Sequence, residues 1–343
     1  MAESVGSHVE AAGFMVSLRR HGQLRQALPT GVAYLNLALP ARPLLASWQR
    51  WYRPDLRGLF RGFDVIHGTN FVVPPVRGKA TIVTVHDLAP LLYPHLCRPE
   101  VLVFPTLVRH AVESGSFVHT PSEFVRGQVL DYFGIAPDRV VAIGHGVTPL
   151  RAQPSIPPIA TELAGHPYIL ALSTLEPRKG LRYLVQAFAE LAPRYPDLRL
   201  VLTGQSGWGL DELLANLGAS VLAERILLPG YVSEDARSWL LRNAQVFAYP
   251  SLYEGFGLPP LEAMSVGTPV VTTTAGAITE VVGDGAITVA PRSADELASA
   301  LIRVIEDKEL RESLIERGHS RAARFSWDRS GEQMAALYAR VLR

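Results

Sequence analysis

The chain has 343 residues, 48% of them hydrophobic and 19% charged, so it is long enough for two globular domains and ordinary in composition. Its formal net charge at pH 7 is +1, and no block of lysine and arginine is long enough to indicate a nucleic-acid-binding protein. The single cysteine, Cys97, excludes a disulfide bond within the chain and fits a reducing compartment.

The N-terminal segment and the most apolar segment carry no targeting or membrane-spanning signal. The first ten residues, MAESVGSHVE, lack the basic and then apolar pattern of a secretory signal peptide. Residues 28–45 come closest to a membrane span, but three prolines and Arg42 interrupt the run of about 18 apolar residues that a span needs. The sequence therefore predicts a cytoplasmic protein that is soluble or bound at the inner face of the membrane.

Short apolar, β-branched runs alternate with longer helical patterns along the first half of the chain. This alternation is typical of βαβ units and a parallel sheet. Strands are predicted at residues 64–68, 80–86, 117–120 and 140–143. A proline-rich stretch, PSIPPIA at residues 154–160, then predicts a linker.

The alternation restarts after this stretch. Strands are predicted at residues 168–172, 198–203, 225–228, 246–249, 269–273 and 286–289. Helices are predicted at residues 183–192, 211–217, 234–242, 260–265, 294–306 and 309–323. We therefore predict two doubly wound, Rossmann-like α/β domains, residues 1–152 and 153–326, which face a ligand-binding cleft. A C-terminal helix at about residues 327–343 is predicted to pack back on the first domain.

Two glutamates, Glu254 and Glu262, flank a turn rich in glycine and proline, EGFGLPPLE. A helix is predicted to begin at Pro259 or Pro260, because proline is favoured in a first helical turn, and this places Glu262 in that turn. The N–H groups of a helix start bind phosphate, and ionised carboxylates accept hydrogen bonds from hydroxyls. A nucleotide sugar would satisfy both. The alternative is structural, because a first-turn glutamate stabilises a helix by about 0.3–1 kcal/mol.

Adjacent cations follow the strand predicted at residues 168–172. Arg178 and Lys179 lie in the loop before the next helix, where they could neutralise a diphosphate or form a solvated surface pair. A second glycine-rich strand exit, LTGQSGWG, covers residues 202–209. The chain contains no GxGxxG fingerprint, which argues against a dinucleotide-dependent dehydrogenase.

Taken together, these motifs resemble the nucleotide-sugar-binding domain of the family 4 glycosyltransferases, which have the GT-B fold. The resemblance is nearly continuous over residues 168–330. Its matching stretches are LEPRKGL at 175–181, LTG at 202–204, the segment 228–271 with both glutamates, and FSWDRS at 325–330. The first half resembles the family more loosely, through DVIHGTNFVVPP at 64–75, TVHDL at 84–88, TPSEF at 120–124 and GHGV at 144–147.

The resemblance implies a role for each matching position. It implies catalytic roles for His86, near the reacting sugar, and for Glu254, at the donor-sugar hydroxyls. Glu262 would bind the ribose hydroxyls, and the loop 230–232 would lie beside the nucleobase. The donor-binding residues implied are Arg178, Lys179, Gly204, Tyr231, Val232, Gly255, Phe256, Gly257, Leu258 and Glu262.

The resemblance also implies the reaction, which is transfer of a hexose with retention of configuration and with no metal ion or other cofactor required. The donor expected first is GDP-mannose and second UDP-glucose, and the acceptor is a glycan or a lipid-linked glycan. Arg178 and Lys179 would stabilise charge on the departing diphosphate, leaving an oxocarbenium-like sugar. Two alternatives stay open: a catalytically impaired, glycosyltransferase-like binding subunit, and a sugar-nucleotide epimerase.

Four histidines of the first half need separate interpretations. His67, His86 and His145 each follow an apolar strand run, so all three are predicted near the ligand-binding edge of the sheet. His86 is the catalytic candidate. A structural role is the stronger interpretation of His67, and the role of His145 stays open. For His119, inside a strand, a hydrogen-bonded structural role is predicted.

The N-terminal region departs from the family pattern. Family members open with a strand and a glycine-rich loop, whereas this chain begins MAESVGSHVEAAGFMVSLRRHG. Residues 14–18 fit the family's second strand, so the sequence predicts either a truncated start or a first domain that lacks its usual N-terminal strand and glycine-rich loop.

A membrane surface is the other predicted partner. Residues 1–150 carry 14 lysines and arginines against 10 acidic residues, a net +4, whereas residues 151–343 carry 19 against 22, a net −3. Aromatic and basic side chains are interleaved in one short stretch: Trp48, Arg50, Trp51, Arg53, Arg57 and Arg61. The pattern predicts peripheral membrane association, although a buried helix with a basic solvent edge explains it equally well.

Overall fold

The structure is a computed structural model that describes residues 9–17, 28, 32–209 and 222–343. The chain divides into two compact units. The first comprises Met1–Gly146 together with Ser326–Arg343, and the second comprises Val147–Phe325. The C-terminal segment thus belongs to the first unit, and the proline-rich residues 154–160 lie inside the second.

The strands of the described part of the chain form three parallel sheets. They are β1 (Ala12–Val16), β2 (Ala33–Leu37), β3 (Val65–Gly68), β4 (Ala80–Thr84), β5 (Phe117–Thr120), β6 (Val140–Ala142), β7 (Tyr168–Leu172), β8 (Arg199–Thr203), β9 (Ile226–Gly230), β10 (Val246–Tyr249), β11 (Val270–Thr273) and β12 (Ala286–Val289). The first unit holds the pair β1-β2 and a sheet of order β3-β4-β5-β6, and the second holds a sheet of order β12-β11-β10-β7-β8-β9.

The helices connect these parallel strands. They are α1 (Ala41–Trp51), α2 (Ala89–Leu92), α3 (Phe104–Glu113), α4 (Glu123–Phe133), α5 (Ile159–Leu163), α6 (Leu181–Leu191), α7 (Glu234–Asn243), α8 (Leu258–Ser265), α9 (Ile278–Val282), α10 (Ala294–Glu306), α11 (Lys308–Ala322) and α12 (Trp327–Val341). Ser122, Ser233, Ser293 and Ser326 cap α4, α7, α10 and α12 by accepting a hydrogen bond from a first-turn N–H group.

Both faces of the second sheet are covered by helices, which explains its apolar strand sequences. All four residues of β10 (VFAY) and of β11 (VVTT) are buried. One face packs on α6 and α10 through Leu184, Phe188 and Leu301. The other packs on α8 and α9 through Leu261 and Ile278. In the first unit, α12 returns to β4 and β6, where Met334 and Leu337 pack against Ile82 and Ile143.

The ten strands predicted between residues 64 and 289 are confirmed, with bounds that differ by at most two residues. A strand is also present near residues 14–18, as β1, but its parallel partner β2 is not predicted from the sequence. The helix predicted at 211–217 lies outside the described residues. Residues 1–8 also lie outside the described residues. The prediction that the first domain lacks its usual N-terminal strand and glycine-rich loop rests partly on these residues.

The order of the second sheet creates a topological switch point. From β7 the chain proceeds outward through β8 to β9, and then returns so that β10 lies on the other side of β7. Adjacent strands whose connections leave in opposite directions open a crevice at their carboxyl ends, and this is where such sheets bind ligands. The loops that follow β7 and β10 are therefore the first place to look for a site.

Candidate functional site

The loops after β7 and β10 carry the cations and the first glutamate of the sequence motifs. A 3₁₀ turn, Pro177–Lys179, follows β7. Gly180, with a φ of 65°, ends this turn and is the N-cap of α6. A Cβ at Gly180 would lie 2.1 Å from the Pro250 carbonyl oxygen, and the Leu252 N–H group donates to the Arg178 carbonyl at 2.8 Å. The two loops are therefore held together by backbone contacts that only glycine permits.

Glu254 lies at the centre of this arrangement and is 8% exposed. Its Oε1 atom accepts three hydrogen bonds, from Lys179 Nζ at 2.5 Å, Ser251 Oγ at 2.7 Å and the Tyr249 hydroxyl at 3.0 Å. Its Oε2 atom lies 3.6 Å from Arg178 Nη1. The structure thus brings Arg178, Lys179 and Glu254 together, so the two adjacent cations are not a solvated surface pair.

Charge pairing, rather than solvent, stabilises these buried groups. Burial favours the uncharged acid of Glu254, but the positive charges of Lys179 and Arg178 and the hydrogen bonds to the carboxylate outweigh it and lower its pKa to about 2. Burial also favours the uncharged amine of Lys179, yet the neighbouring Glu254 raises the pKa of Lys179 overall. Burial next to the Glu254 carboxylate raises the pKa of Tyr249 to about 12. Lys179 and Glu254 are therefore both ionised at neutral pH.

The second glutamate occupies a different position from the predicted one. Helix α8 begins at Leu258, one residue before the earliest predicted start, so Glu262 lies beyond the first turn. The alternative that Glu262 stabilises a helix start is therefore wrong, because the favourable dipole interaction falls off within the first turn. Gly257, with a φ of 107°, is the N-cap, and Pro259 and Pro260 follow Leu258 within the first turn.

Glu262 is as buried as Glu254 but has a different partner. Arg237 of α7 places its Nη1 atom 2.9 Å from Glu262 Oε1 and 3.1 Å from Oε2. Burial raises the pKa of Glu262, and the Arg237 guanidinium opposes that increase. Sequence reasoning missed Arg237, since an arginine on an amphipathic helix is ordinarily a solvated residue and nothing in its spacing indicates a contact with α8.

The remaining predicted donor-binding residues lie on neighbouring loops of the same unit. Gly204, at the end of β8, donates its N–H to the Gly230 carbonyl at 2.9 Å, and a Cβ there would lie 1.8 Å from the Ser173 carbonyl oxygen. Tyr231 is 75% exposed and, with Val232, leads into α7, the helix that carries Arg237. Gly255 and Phe256 connect Glu254 to the start of α8.

His86 belongs to the first unit, where it follows β4. Its Nε2 atom lies 2.9 Å from the Thr69 carbonyl oxygen, which can only accept, so Nε2 carries the proton and Nδ1 of the neutral ring is an acceptor. The rings of Phe71 and His145 lie 5.6 Å and 5.9 Å from the His86 ring. Phe71 has a φ of 59°, a left-handed conformation that is costly outside glycine.

His67 and His119 belong to a buried chain of hydrogen bonds in the same unit. His119 Nε2 lies 3.0 Å from the Ile143 carbonyl oxygen, to which it must donate. His119 Nδ1 therefore accepts from the Thr84 hydroxyl, at 2.9 Å. Thr84 then accepts from His67 Nε2 at 2.7 Å, and His67 Nδ1 accepts from the Tyr338 hydroxyl of α12 at 2.8 Å. Burial lowers the pKa of His67 to about 3 and that of His119 to about 4. The structural role predicted for His119 is confirmed, and His67 shares it.

His145 lies between two aromatic neighbours, because its ring is 5.9 Å from those of both His86 and Trp327. Burial lowers its pKa to about 3.

Within the ranges that the structure describes, no group of three histidine, cysteine or acidic side chains is placed to hold a metal ion. Within the same ranges, no helix is both long enough and apolar enough to span a bilayer.

Comparison with known proteins extends over both units. The family model described as Glycosyltransferase Family 4 matches residues 8–151, and the model described as Glycosyl transferases group 1 matches residues 154–321. O-antigen chain mannosyltransferase B of Escherichia coli is 32% identical over 313 residues, which cover 88% of this chain and 81% of that protein. The MMP alpha-(1->4)-mannosyltransferase of Mycolicibacterium hassiacum is 33% identical over 229 residues, 65% of this chain and 54% of that protein.

Solved structures share the fold at lower sequence identity. Sucrose-phosphate synthase from Thermosynechococcus elongatus superposes with a TM-score of 0.73 at 19% identity, over 99% of this chain and 91% of that one. HepE of Anabaena, in complex with UDP and glucose, gives a TM-score of 0.76 at 18% identity, over 98% and 94% of the two chains. At these identities the likeness concerns the fold alone.

Proposed function

The chain belongs to glycosyltransferase family 4 and has the GT-B fold, and from that premise we propose that it transfers mannose, with retention, from a nucleotide diphosphate sugar to a glycan or lipid-linked acceptor. The observation that carries the proposal is the buried group formed by Arg178, Lys179 and Glu254 at the switch point of the second sheet. Mannose is preferred to glucose because the relatives include enzymes named as mannosyltransferases, among them one for the O-antigen chain.

The hydrogen bonds around Glu254 suggest how a donor would be held. Among the described residues, Oε1 is saturated by three donors, which leaves Oε2 to accept sugar hydroxyls. Lys179 Nζ donates to Tyr249 and Glu254, which leaves its third N–H for a phosphate oxygen. A diphosphate between Lys179 and the start of α8 would place the anomeric carbon next to Glu254.

The proposed chemistry uses charge that the protein already holds in place. As the bond from the anomeric carbon to the diphosphate breaks, negative charge grows on the leaving phosphate, and Arg178 and Lys179 stabilise it. The oxocarbenium-like sugar is attacked by the acceptor hydroxyl on the face that the diphosphate leaves, so the configuration is retained, and the acceptor proton passes to the departing phosphate. The proposal includes no metal ion or resident cofactor, since the two cations supply the positive charge. His86 would hydrogen-bond a hydroxyl of the reacting sugar through Nδ1.

Thermal unfolding with a panel of nucleotides tests the donor site. At a concentration of one hundred times Kd, a ligand of the native state stabilises it by about 2.7 kcal/mol. We expect GDP and GDP-mannose to raise the melting temperature in the wild type and to raise it much less in Glu262→Ala. UDP and UDP-glucose test the second donor, and ADP is the negative control.

A product assay completes this test. Incubation of the stabilising donor with glycan acceptors should give a linkage whose anomeric configuration matches that of the donor, as read by NMR. An inverted linkage would contradict retention. Nucleotide binding with neither transfer nor slow donor hydrolysis would instead favour the impaired binding subunit, and an epimerised nucleotide sugar would favour the epimerase.

The proposal also includes peripheral association of the first unit with an anionic membrane. Of the two tryptophans in the interleaved pattern, Trp48 is buried in the core and Trp51 is 65% exposed. The Arg50 guanidinium lies 5.4 Å from the centre of the Trp51 ring. Leu59 is 45% exposed nearby in the sequence. The exposed arginines of this stretch are Arg42, Arg50, Arg53, Arg57 and Arg61. An anionic membrane surface attracts each such positive charge with a free energy of about 1 kcal/mol. Tryptophan is enriched at membrane–water interfaces, so Trp51 is suited to that position.

Vesicle co-sedimentation tests the membrane proposal. The wild type is expected to sediment with phosphatidylserine-containing vesicles at low salt, and the double variant Arg50→Gln/Trp51→Ser to sediment at least about fivefold less. Trp208→Ser, which changes a partly exposed tryptophan of the second unit, is the matched control and should sediment like the wild type. Equal sedimentation of the wild type with neutral and anionic vesicles would contradict the electrostatic mechanism.

A further inference from the structure

The two glutamates of the motif are kept charged in different ways. Glu254 is surrounded by Lys179, Arg178, Ser251 and Tyr249. For the Glu262 carboxylate, the hydrogen-bonding partner among the described residues is Arg237 alone. Removal of one cation would therefore leave Glu254 partly compensated, whereas Glu262 would become an uncompensated carboxylate that is only 8% exposed.

Packing gives no reason for a charge at position 262. Glu262 lies in a run of α8 that is otherwise apolar and buried, between Leu261 and Ala263. Replacing a buried ion pair by apolar side chains of similar volume is often neutral or stabilising, so an ion pair here is weak support for a purely structural role. A carboxylate on the helix that opens beside Glu254 is better explained by a ligand that donates hydrogen bonds to it.

The geometry of the pair leaves hydrogen-bond acceptor positions for such a ligand. One nitrogen, Arg237 Nη1, lies within hydrogen-bonding distance of both carboxylate oxygens, at 2.9 Å and 3.1 Å. A carboxylate has about four lone-pair sites, so each oxygen keeps one acceptor position. Two acceptors on one planar group match the two hydroxyls of a vicinal diol, such as the 2′ and 3′ hydroxyls of ribose.

We propose that Arg237 is a positioning residue that pairs with the Glu262 carboxylate and orients it toward the ribose diol, and that through it the enzyme selects ribonucleotide over 2′-deoxyribonucleotide donors. This inference rests on the proposed function. Arg237 acts through Glu262, whose burial makes its charge depend on this guanidinium. The loop with Tyr231 and Val232 leads directly into α7, so Arg237 lies on the helix that immediately follows the loop predicted to lie beside the nucleobase.

The test is the ratio of affinities for GDP and 2′-deoxy-GDP, with UDP and 2′-deoxy-UDP as the second pair, measured by calorimetry on the full chain. Loss of a hydrogen bond to a charged group is expected to weaken wild-type binding of the deoxynucleotide about 10- to 100-fold. In Arg237→Met, ribonucleotide affinity should fall and the ratio should shrink to below about threefold. Arg237→Lys, which keeps the positive charge, should restore part of the ratio.

The controls separate a positioning role from a structural one. Arg242→Met makes the same change at an exposed residue of the same helix and should keep the wild-type ratio. Arg237→Gln is the second neutral variant, to be used if Arg237→Met does not fold. A neutral variant that binds weakly but keeps the wild-type ratio would overturn the inference, and so would a wild type that does not distinguish the two sugars. A wild type that binds neither nucleotide pair would overturn the proposed function with it.

Discussion

Replacing Lys179 by methionine is expected to lower the rate of sugar transfer by at least about 100-fold, the usual effect of losing a group that stabilises transition-state charge. The same change should lower the free energy of unfolding of the second unit by about 3 kcal/mol, the low end for a buried ion pair that loses one partner, because the Glu254 carboxylate loses its 2.5 Å partner but keeps Arg178 at 3.6 Å. In a unit of this size that loss corresponds to a decrease of about 6–12 °C in melting temperature.

A double variant separates the two effects of this substitution. Lys179→Met/Glu254→Gln removes both charges, so much of the lost stability should return, whereas transfer should stay as slow as in Lys179→Met. Lys308→Met is the matched control, since its side chain is 75% exposed and its ion pair with Glu312 is worth little. Calorimetry and a transfer assay on the wild type, the single variants Lys179→Met and Glu254→Gln and the double variant give the double-mutant cycle. Transfer at the wild-type rate in Lys179→Met would contradict the proposed role of this lysine.

Acidification from pH 7 to pH 5 is expected to destabilise the first unit through His67, His119 and His145. All three histidines have folded-state pKa values below the ordinary value of 6.5, about 3 for His67 and His145 and about 4 for His119. Between those values the unfolded chain binds more protons than the folded one, so stability is complete above pH 6.5 and is lost as the pH falls toward 4. The loss at pH 5 is about 2 kcal/mol for His119 and somewhat less for His67 and for His145, which are less completely buried.

Urea unfolding at a series of pH values tests this expectation, with hydrogen exchange of peptides from β4 and β5 assigning the transition to the first unit. In His67→Gln, an amide replaces the ring and removes one of the three titrations, so the loss of stability between pH 7 and pH 5 should be about two thirds of that in the wild type. His95→Gln, at an exposed histidine, should behave like the wild type. An acid response in His67→Gln equal to that of the wild type would show that the buried chain of hydrogen bonds is not its cause.

Much of the fold could be predicted from the sequence because its parallel sheets are buried on both faces. Strands such as YILAL and VFAY must then be continuous apolar runs, which stand out against amphipathic helices. Strand β2 lacks that signal, since Ala33 and Tyr34 are exposed, and it was missed for that reason. The start of α8 was predicted one or two residues too late, because Gly257, rather than Leu258 or Pro259, is its N-cap.

The candidate site was only partly predictable. The sequence identified Arg178, Lys179 and Glu254 because they lie in loops that follow predicted strands, and it identified Glu262 through the motif that it shares with Glu254. It predicted that the cations would bind phosphate, and it did not predict that Lys179 holds Glu254 as well. It missed Arg237, and it grouped Trp48 with Trp51 although one is buried and the other exposed.

By itself, then, the sequence determined the strand and helix pattern, the family and the residue types of the donor site, since each depends on local periodicity or on motifs within a few positions. Only the tertiary structure decided which side chains share a charge or a proton. Lys179 meets Glu254 across 75 residues, Arg237 meets Glu262 across 25, and His67 meets Tyr338 across 271. Such pairs depend on the order of strands and the packing of helices, and no local pattern in the chain records them.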